Sequence, residues 1–411
     1  MKITLDAIRE LVQRSGTLLG LIRDRNLAPD QSKRLIKTWG ITEAAALLDK
    51  TPQGIHKAQK SGLVPAPAIP SKPGKRGAYT LEQINEMRRY FRALPYRASE
   101  DPLAILAVQN FKGGVAKSTI AVHLAQYLAR AGMRVALVDA DPQASASYLM
   151  GYYPDRDLEW EDTLGPFLAR ERQDLRYAVR DTHWPGLKMI PSNMSLFSSE
   201  WTMALRISKS GRGVLGASNW LRLRDGLQGI ATDFDVVIVD SPPSAGLISL
   251  NVIYAANMCL VPMPPSMLDF ASTAQFFTMV EEVMSTLEDT YAGEVAPSLQ
   301  WIKVCISRKQ YRLGQKQKER DQTKAEDDIS ELARDHFGNY MMKSVLYESE
   351  EIKTATGMRN TLYELVEPIG TRRTHKRALE TMDSVCRETE LLIRLSWPSH
   401  VRQAEKMGLT A

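Results

Sequence analysis

The sequence predicts an α/β protein: a parallel β-sheet covered on both faces by helices, preceded by a smaller, mainly helical unit. Apolar segments with the character of buried strands recur at 103–108, 134–139, 234–240, 258–261 and 301–306. Helical stretches separate them, among them 118–131, 249–256 and 269–287. That alternation is typical of βαβ units. The first hundred residues follow another pattern, and 411 residues leave room for two or three domains.

Composition excludes several classes of protein. Hydrophobic residues make up 44% of the chain and charged residues 25%, which is ordinary for a globular protein. We expect no membrane-spanning helix, because no apolar run reaches about 18 residues. We expect no signal peptide, because charged residues interrupt the apolar positions of residues 1–26. The three cysteines, Cys259, Cys305 and Cys386, are too widely spaced for a disulfide framework or a CxxC metal motif. A reducing cytosolic compartment fits this sequence best.

Positive charge is concentrated in the first quarter of the chain. Residues 1–100 carry a net charge of +9 and the other 311 residues carry −4. A basic module on a mildly acidic body suggests a nucleic-acid partner. A solvated surface without a partner explains the charge equally well.

Residues 1–40 are predicted to form an N-terminal helix and a connector. Apolar residues recur at helical spacing over 5–27, opposite a charged face, although Gly16 weakens the helix. The helix either packs on its own domain or, since it precedes the first compact unit, dimerises the protein.

Residues 41–93 carry the pattern of a winged helix-turn-helix domain. Thr42 is expected to cap a helix over 43–48, and Pro52 is suited to the first position of a second helix that ends near 61. The second helix of such a pair enters the DNA major groove. The residues that we expect it to present to DNA are Gln53, His56, Lys57 and Lys60.

A basic loop follows the two helices. Residues 69–80 are rich in proline and glycine, and Lys75 and Arg76 are placed at the tip of a predicted wing. A helix over 81–91 closes the domain, and 94–101 is predicted to be a linker. The order helix, turn, helix, basic loop favours DNA binding over a plain helical packing module.

The segment KGGVAKST (112–119) lies between a buried strand and a helix, where a phosphate-binding loop belongs. Glycines let the backbone N–H groups approach phosphates, Lys117 can reach the terminal phosphates, and the Ser118 hydroxyl can ligate Mg²⁺. The usual pattern GxxxxGK[ST] is not met, because Phe111 and Ala116 replace its glycines. The residues expected to bind nucleotide here are Gly113, Gly114, Val115, Ala116, Lys117, Ser118 and Thr119.

Lys112 is a second cation on the same loop. One nucleotide's phosphates do not require it, so it can instead neutralise transition-state charge on a nucleotide held by a partner subunit. The alternative is a solvent-exposed lysine at the edge of a loop.

Acidic residues follow two of the predicted strands. Asp139 and Asp141 are the two acids of the segment VDAD (138–141). Asp240 is the last residue of VVIVD (236–240) and is followed by Ser241. Strand ends in parallel sheets face the ligand crevice, so these carboxylates can order Mg²⁺ and orient the attacking water. Capping and turn formation are the alternative. After a further strand, Pro262, Met263 and Pro264 suit a flat purine, although a rigid loop is an equally good interpretation.

These motifs together resemble the ParA/MinD group of deviant Walker ATPases. KGGVAKST, VDADPQ and VDSPP carry the resemblance, which covers about 102–395. The segments 185–201, 261–273 and 344–365 look like the large ParA proteins of plasmid and secondary-chromosome partition, including the RepA partition ATPases. Such proteins carry an N-terminal helix and a winged helix-turn-helix before the ATPase. The resemblance therefore implies a parallel-sheet, deviant Walker P-loop ATPase domain over 102–411.

The resemblance also implies roles. Lys117 corresponds to the phosphate-loop lysine, and Lys112 to the signature lysine that acts across an ATP-sandwich dimer. Ser118 and Asp240 serve Mg²⁺, with Asp139 in support, and Asp141 positions the hydrolytic water. Many relatives have Pro-Arg after the late strand where this chain has Leu346-Tyr347. We therefore look for the nonspecific DNA contacts in other basic stretches, 308–320 and the cluster at Arg372, Arg373 and Lys376.

The function implied is a DNA-segregation ATPase, cytoplasmic and associated with the nucleoid. ATP and Mg²⁺ close a homodimer that binds DNA nonspecifically, and a ParB-like centromere-binding partner stimulates weak hydrolysis. The ADP form binds an operator and represses its own operon. Two alternatives stay open: a nucleotide-switched transcription repressor, and a MinD-like positioning ATPase, whose membrane helix Pro398 would interrupt.

Overall fold

The computed structural model describes residues 5–26, 33–69, 77–91, 97–210, 214–292, 294–296, 299–311 and 317–406. The chain divides into two compact units, Met1–Arg34 and Leu35–Ala411. The first contains helix α1, Leu5–Asn26, as the apolar periodicity predicts. Its apolar stripe is exposed, with Leu11 at 59% and Val12 at 68%.

The second unit begins with a small helical domain. Strands β1 (Trp39–Gly40) and β2 (Ala78–Tyr79) pair in antiparallel fashion. The helices are α2 (Ile41–Leu48), α3 (Pro52–Lys60) and α4 (Leu81–Phe91). All three predicted helices are therefore present, but Thr42 is not the cap of the first. That helix begins at Ile41, because the Glu43 side chain accepts a hydrogen bond from the Gly40 N–H at 2.9 Å.

Helix α3 begins as the sequence predicts. Thr51 Oγ1 accepts a hydrogen bond from the Gly54 N–H at 3.1 Å, and Pro52 occupies the first helical position. Ile69 bridges to Ala78 at the base of the predicted wing. The expected wing-tip cations, Lys75 and Arg76, lie outside the described residues.

The rest of the unit is built on one eight-stranded sheet with the order β10-β9-β8-β3-β7-β4-β6-β5. Every described pairing is parallel except that of β5 with β6. The five predicted strands are present, together with β5, β6 and β10. The strands are β3 (Ala104–Val108), β4 (Val135–Asp139), β5 (Arg180–Asp181), β6 (Leu187–Ile190), β7 (Val236–Asp240), β8 (Met258–Met263), β9 (Trp301–Lys309) and β10 (Met341–Tyr347).

Helices cover both faces of this sheet. The long ones are α5 (Lys117–Arg130), α9 (Ser198–Ser210), α13 (Met267–Thr290), α14 (Gln317–Phe337) and α16 (Arg372–Leu395). The short ones are α6 (Ser145–Leu149), α7 (Pro154–Asp157), α8 (Gly165–Leu168), α10 (Val214–Trp220), α11 (Arg222–Gln228), α12 (Leu247–Ala255), α15 (Glu350–Gly357) and α17 (Pro398–Lys406).

The central strand β3 is buried on both of its faces. Leu106 and Val108 join the core shared with α5 and α16, whereas Ile105 and Ala107 join the core shared with α11 and α12. Side chains of a strand alternate between faces, so a strand covered on both sides becomes apolar throughout. This explains the continuous apolar runs in the sequence.

The described part of the predicted linker is anchored. Asp101 is buried, and its carboxylate accepts hydrogen bonds from the N–H groups of Ala98, at 3.0 Å, and Ser399, at 2.9 Å. Arg97 donates to the Asp101 carbonyl at 2.8 Å. Residues 97–101 therefore pack against the body of the molecule, and residues 94–96 of the predicted linker lie outside the described residues.

Candidate functional site

The segment KGGVAKST joins the carboxyl end of β3 to the start of α5, at the middle of the sheet. Gly114 has φ 75° and Ala116 has φ 76°, so the loop turns twice through the left-handed region. Glycine adopts that conformation freely, whereas an alanine is strained in it. Two contacts hold the loop: the Ser307 hydroxyl donates to the Val115 carbonyl at 3.0 Å, and Lys112 N–H donates to Asn110 Oδ1 at 3.0 Å.

Lys117 points inward at the first residue of α5. Its ammonium donates to the Lys112 carbonyl at 2.8 Å, and the side chain is nearly buried. Burial lowers the pKa of Lys117, while the neighbouring carboxylates of Asp240 and Asp141 oppose that shift. The ammonium is therefore held inside the loop that it is expected to serve.

Lys112 faces outward from the same loop. Its ammonium pairs with Asp269 Oδ1 at 2.5 Å, and a third of the side chain is exposed. Asp269 lies in the first turn of α13, where its N–H donates to Ser266 Oγ at 3.2 Å. The two lysines therefore point to different sides of the loop, as different roles require.

The predicted acids meet at the ends of two adjacent strands. Asp139 of β4 and Asp240 of β7 are paired in register. Asp139 accepts hydrogen bonds from the N–H and hydroxyl of Ser147, at 2.8 and 2.7 Å, and burial raises its pKa to about 7. Asp139 thus fastens α6 to the end of β4. Asp141 lies closer to the loop, and burial raises its pKa, while Lys117 opposes the shift.

Asp240 is the acid that fits a cation. Both carboxylate oxygens are buried, and neither has a hydrogen-bond partner among the residues that the structure describes. Burial and the charge of Asp139 raise the pKa of Asp240 well above its usual range, and Ser118 and Lys117 oppose that shift. An unpaired buried carboxylate is costly unless a cation joins it. Hard oxygen donors beside a phosphate loop suit Mg²⁺.

A cavity of about 700 Å³ opens beside the phosphate loop. One wall is formed by the loop and start of α5, through Gly113, Gly114, Ala116, Lys117, Ser118 and Thr119, together with Asp141. Further lining comes from the segment that runs from β10 to α15, through the apolar or aromatic Leu346, Tyr347 and Ile352 and the charged Glu348 and Lys353, with Tyr148 and Leu149 from α6. The cavity therefore combines cationic and polar groups with apolar and aromatic ones, as a site for a nucleotide's phosphates and base requires.

The residues predicted to contact the purine are divided between the sheet and a second cavity. Pro262 and Met263 are the last residues of β8 and are buried in the sheet. Pro264 lines a cavity of about 310 Å³ together with Lys112, Gly113 and Gly114 of the phosphate loop. A purine contact at 262–264 therefore stays a prediction. Residues of the segment 346–356 line the larger cavity, a position that sequence spacing gives no reason to expect.

Arg308 connects the two walls. Its guanidinium donates to the Gly114 carbonyl at 2.7 Å and pairs with Glu348 at 3.0 Å. Glu348 also pairs with Lys353 of α15 at 2.8 Å. Lys309 pairs with Asp327 at 2.8 Å. The basic stretch predicted over 308–320 therefore begins with two cations committed to ion pairs inside this chain, and 312–316 lie outside the described residues.

The candidate DNA residues on α3 share one side of the helix. Ile55 and Ala58 are buried against the domain, whereas the four predicted contacts are exposed: Gln53, His56, Lys57 and Lys60. Gln59 has a different task, since its amide donates to the Pro65 carbonyl at 2.9 Å and to the Tyr79 hydroxyl at 2.7 Å. The geometry therefore leaves a polar, basic helix face available to solvent.

A second cationic surface lies at the start of α16. Arg372, Arg373 and Lys376 are exposed in its first two turns, and Lys376 is 3.6 Å from Glu380. Thr371 caps the helix by accepting from the Thr374 N–H at 3.1 Å. No described helix is both long and apolar enough to cross a membrane.

A parallel sheet with a glycine–lysine loop at its central strand, and acids ending the neighbouring strands, defines a P-loop nucleotide-binding protein. A family model described as an AAA domain matches residues 103–292. Protein SopA of Escherichia coli (strain K12) is 32% identical over 372 residues, or 89% of this chain and 91% of SopA. The chromosome partitioning protein ParA of Caulobacter vibrioides (strain NA1000 / CB15N) is 29% identical over 65% of this chain and 90% of its own. This chain belongs to the ParA family of partition ATPases.

Solved structures share the fold. A structure described as a partition protein superposes on 95% of this chain and 98% of its own, with a TM-score of 0.64 at 19% identity. Cobyrinic acid a,c-diamide synthase from Mycobacterium smegmatis, with bound ADP and magnesium, covers 63% of this chain and 92% of its own, with a TM-score of 0.50 at 25% identity. The predicted α/β P-loop fold is therefore confirmed.

Proposed function

We infer that this chain is a DNA-partition ATPase that binds ATP and Mg²⁺ in the cavity beside KGGVAKST. The observation that carries this proposal is the arrangement of Lys117, which lines that cavity, and of the buried carboxylate of Asp240 behind it, whose charge acts on Lys117. Ser118 and Asp240 hold the cation, which when bound neutralises phosphate charge. The ammonium of Lys117 binds phosphate in place of the Lys112 carbonyl. Asp141 orients water, and Asp139 keeps α6 and the strand end in place.

The active form in this proposal is a homodimer closed over two nucleotides. Lys112 lies on the outer side of the loop, and its partner Asp269 belongs to the same surface. Facing subunits bring Lys112 of each copy to the nucleotide of the other, where its charge stabilises the transition state. The exposed apolar stripe of α1 provides a further dimer contact.

Two surfaces bind DNA in different ways. The exposed face of α3, with Lys75 and Arg76 on the wing, recognises an operator and represses the operon in the ADP form. The cations at the start of α16 bind phosphates of any sequence in the ATP form, so the dimer associates with the nucleoid. A ParB-like centromere-binding protein stimulates hydrolysis and releases the dimer. SopA and ParA are partition proteins by name, which supports this assignment.

The variant Lys117→Gln tests the proposed site. Nucleotide binding is measured by fluorescent ATP titration, and hydrolysis by phosphate release. We expect Lys117→Gln to lose at least tenfold in ATP affinity, because the neutral amide cannot pair with the phosphates. Lys57→Gln, an exposed lysine on α3, is the matched control and should bind ATP normally. Normal ATP binding and hydrolysis by Lys117→Gln would falsify the site assignment.

The partner-dependent part needs a separate assay. Hydrolysis is measured with the chain alone, with random duplex DNA, and with DNA plus the centromere-binding protein encoded beside it. We expect ATP hydrolysis by a partition ATPase to be stimulated by DNA together with the centromere-binding protein. A transcription repressor that uses nucleotide only as a switch would show no stimulation, and that result would favour the alternative.

A further inference from the structure

Arg88 is a charged residue in a fully buried place. It lies on α4 of the helical domain, near the C-terminal end of α2, and none of its surface is exposed. Arginine is almost never fully buried unless it is paired. Its position in the sequence indicates no role in DNA or nucleotide binding. We therefore infer its role from its hydrogen-bond partners.

Beside Asn85 of its own helix, whose Oδ1 accepts from Arg88 Nη1 at 2.5 Å, its partners include the ends of two helices from different parts of the molecule. One guanidinium nitrogen, Nη2, donates to the Leu47 carbonyl at 3.3 Å and also to the Arg130 carbonyl. Leu47 lies in the last turn of α2, and Arg130 is the last residue of α5. Carbonyls at a helix C-terminus lack intrahelical partners and carry partial negative charge. Arg88 therefore satisfies two helix ends with one cation.

The second of these helices begins in the phosphate loop. Lys117, Ser118 and Thr119 form its first turn, and the helix, fourteen residues long, ends at Arg130. An α-helix of that length is a rod of about 21 Å. The Arg130 guanidinium is 3.2 Å from Asp383 and lies over the rings of Tyr127 and Tyr363. The phosphate loop and the carbonyl that Arg88 contacts therefore lie at the two ends of one helix.

The helical domain is docked on this rod and is not merely tethered to it. Its buried residues, such as Ile55 and Met87, belong to the same hydrophobic cluster as Ile120 and Leu128 of α5. A cleft of about 620 Å³ lies beside the joint, lined by Lys50, Arg88, Arg130 and other residues. The helical domain therefore packs against the end of α5, with an open cleft beside the contact.

We propose that Arg88 is a positioning residue that couples the phosphate loop to the DNA-recognition helix pair, through the end of α5. This inference rests on the proposed function and names the regulation of its operator-binding site. Nucleotide at the first turn of α5 sets the place of the Arg130 carbonyl. Arg88 holds that carbonyl and the end of α2 together, so the orientation of α3 follows the nucleotide state.

The test compares two neighbouring arginines of α4. Arg88→Met keeps the length of the aliphatic side chain and removes both carbonyl contacts. Arg89→Met makes the same change in charge at an exposed position of the same helix. Binding is measured for a 200-base-pair duplex, taken from immediately upstream of the gene, against a random duplex, with ADP and without nucleotide.

We expect wild type and Arg89→Met to change their affinity for the upstream duplex by at least fivefold on addition of ADP, the usual lower range for coupled sites. Arg88→Met should change by less than twofold while it binds ADP and hydrolyses ATP as wild type does. An ADP response of wild-type size in Arg88→Met, or no ADP response in wild type, overturns the inference. Failure of wild type to bind nucleotide overturns the proposed function instead.

If circular dichroism shows that Arg88→Met is unfolded, two further measurements keep the test decisive. Arg88→Lys retains the charge but cannot reach both carbonyls with one planar group, so its ADP response should be at most half that of wild type. In wild type, hydrogen exchange of residues 45–50 and 84–90 should slow by at least threefold with ADP. A full ADP response in Arg88→Lys, or unchanged exchange, counts against the coupling.

Discussion

The two lysines of the phosphate loop show how far neighbouring residues can differ in role. Lys117 is buried and bonded to the loop's own backbone, whereas Lys112 is paired with Asp269 on the outer surface. The buried ammonium suits the role that we propose for Lys117 at the nucleotide of its own subunit, and the outward one suits the role that we propose for Lys112 toward a partner. The directions of these two side chains are not specified by the motif.

Lys112→Gln is expected to separate binding from hydrolysis. ATP affinity should stay within about twofold of wild type, since Lys112 points away from the cavity, while hydrolysis falls by about 10³-fold, as for loss of a cation supplied in trans. Fluorescent ATP titration and single-turnover phosphate release measure the two quantities. Equal losses of affinity and rate would place Lys112 at the nucleotide of its own subunit.

Ala116 stores strain at the start of α5. With φ 76° it occupies the left-handed region where relatives of the commoner pattern have glycine. Ala116→Gly should raise the free energy of unfolding by about 0.5–1 kcal/mol, because glycine adopts this conformation without a Cβ clash. Urea unfolding measures the change. As a control, Ala121→Gly, inside the same helix, should lower the free energy of unfolding by about 1 kcal/mol or more. If Ala116→Gly lowers it by as much, Ala116 is not strained.

Glu351 ties α15 to the start of α16. It accepts hydrogen bonds from the N–H groups of Ile369, at 2.8 Å, and Gly370, at 3.0 Å, and from His375 Nδ1 at 3.0 Å. Burial alone would raise the pKa of Glu351, but these donors outweigh it, and the pKa is lowered. Glu351→Gln should therefore cost about 1–3 kcal/mol of stability near pH 7.

This stabilisation depends on pH in a predictable direction. The folded-state pKa lies below the unfolded value of about 4.3, so the contribution is complete above that pH and is lost as the pH falls through the folded value. Urea unfolding of wild type and Glu351→Gln from pH 7 to pH 3 should show the two converging in acid. Glu350→Gln, exposed on the same helix, is the control. A gap at pH 3 as large as at pH 7 would contradict the assignment.

At the scale of elements, helix α16 begins with charges of the wrong sign for its own dipole. The N-terminus of a helix favours anions, yet Arg372, Arg373 and Lys376 lie in its first two turns. Thr371 caps this end, so the helix does not depend on them. Cations that cost stability at a helix start agree with the DNA-phosphate contacts that we propose for this surface.

The double variant Arg372→Ala/Arg373→Ala tests whether these cations bind DNA at the expense of helix stability. We expect weaker binding of the ATP form to random duplex DNA, and a slope of log affinity against log salt that is smaller by about 2, one unit for each lost phosphate contact. Stability should rise by about 0.3–1 kcal/mol for each cation removed from the helix start. Lys188→Ala, an exposed lysine on β6, should leave both unchanged. Unaltered DNA affinity of the double variant would remove this surface from the DNA-binding proposal.

At the scale of the whole molecule, the two compact units differ in what stabilises them. Leu35–Ala411 has apolar cores on both faces of its sheet, whereas Met1–Arg34 contains helix α1, whose apolar stripe is exposed. Most helical stability in proteins comes from packing of the apolar face, so α1 is expected to need a surface that covers this stripe.

Deletion of residues 1–34 is expected to weaken self-association without unfolding the remainder. Sedimentation equilibrium with ATP should give a dimer dissociation constant at least tenfold higher than that of the full chain, because the α1 contacts are lost. The urea midpoint of the remaining unit should stay within error. An unchanged dissociation constant would mean that α1 takes no part in the dimer.

Much of this molecule could be predicted from local sequence. Apolar runs identified five strands of the sheet, Thr51 and Pro52 identified the start of α3, and KGGVAKST identified the phosphate loop. Each of these is a local signal, since strand burial, helix capping and loop conformation depend on residues close together in the chain. The strands β5, β6 and β10 were not predicted.

Long-range contacts decided the rest. Pro262 and Met263, expected in a loop after an apolar strand, continue that strand, and residues of the segment 346–356 line the cavity beside the phosphate loop. The contact of Lys112 with Asp269 and the position of Arg88 between two helix ends also join residues far apart in sequence. Fold class, family and phosphate loop follow from the amino-acid sequence alone, because local patterns encode them. The residues that line the cavity and the cations that are buried are known only from the folded chain, because they depend on how distant segments pack.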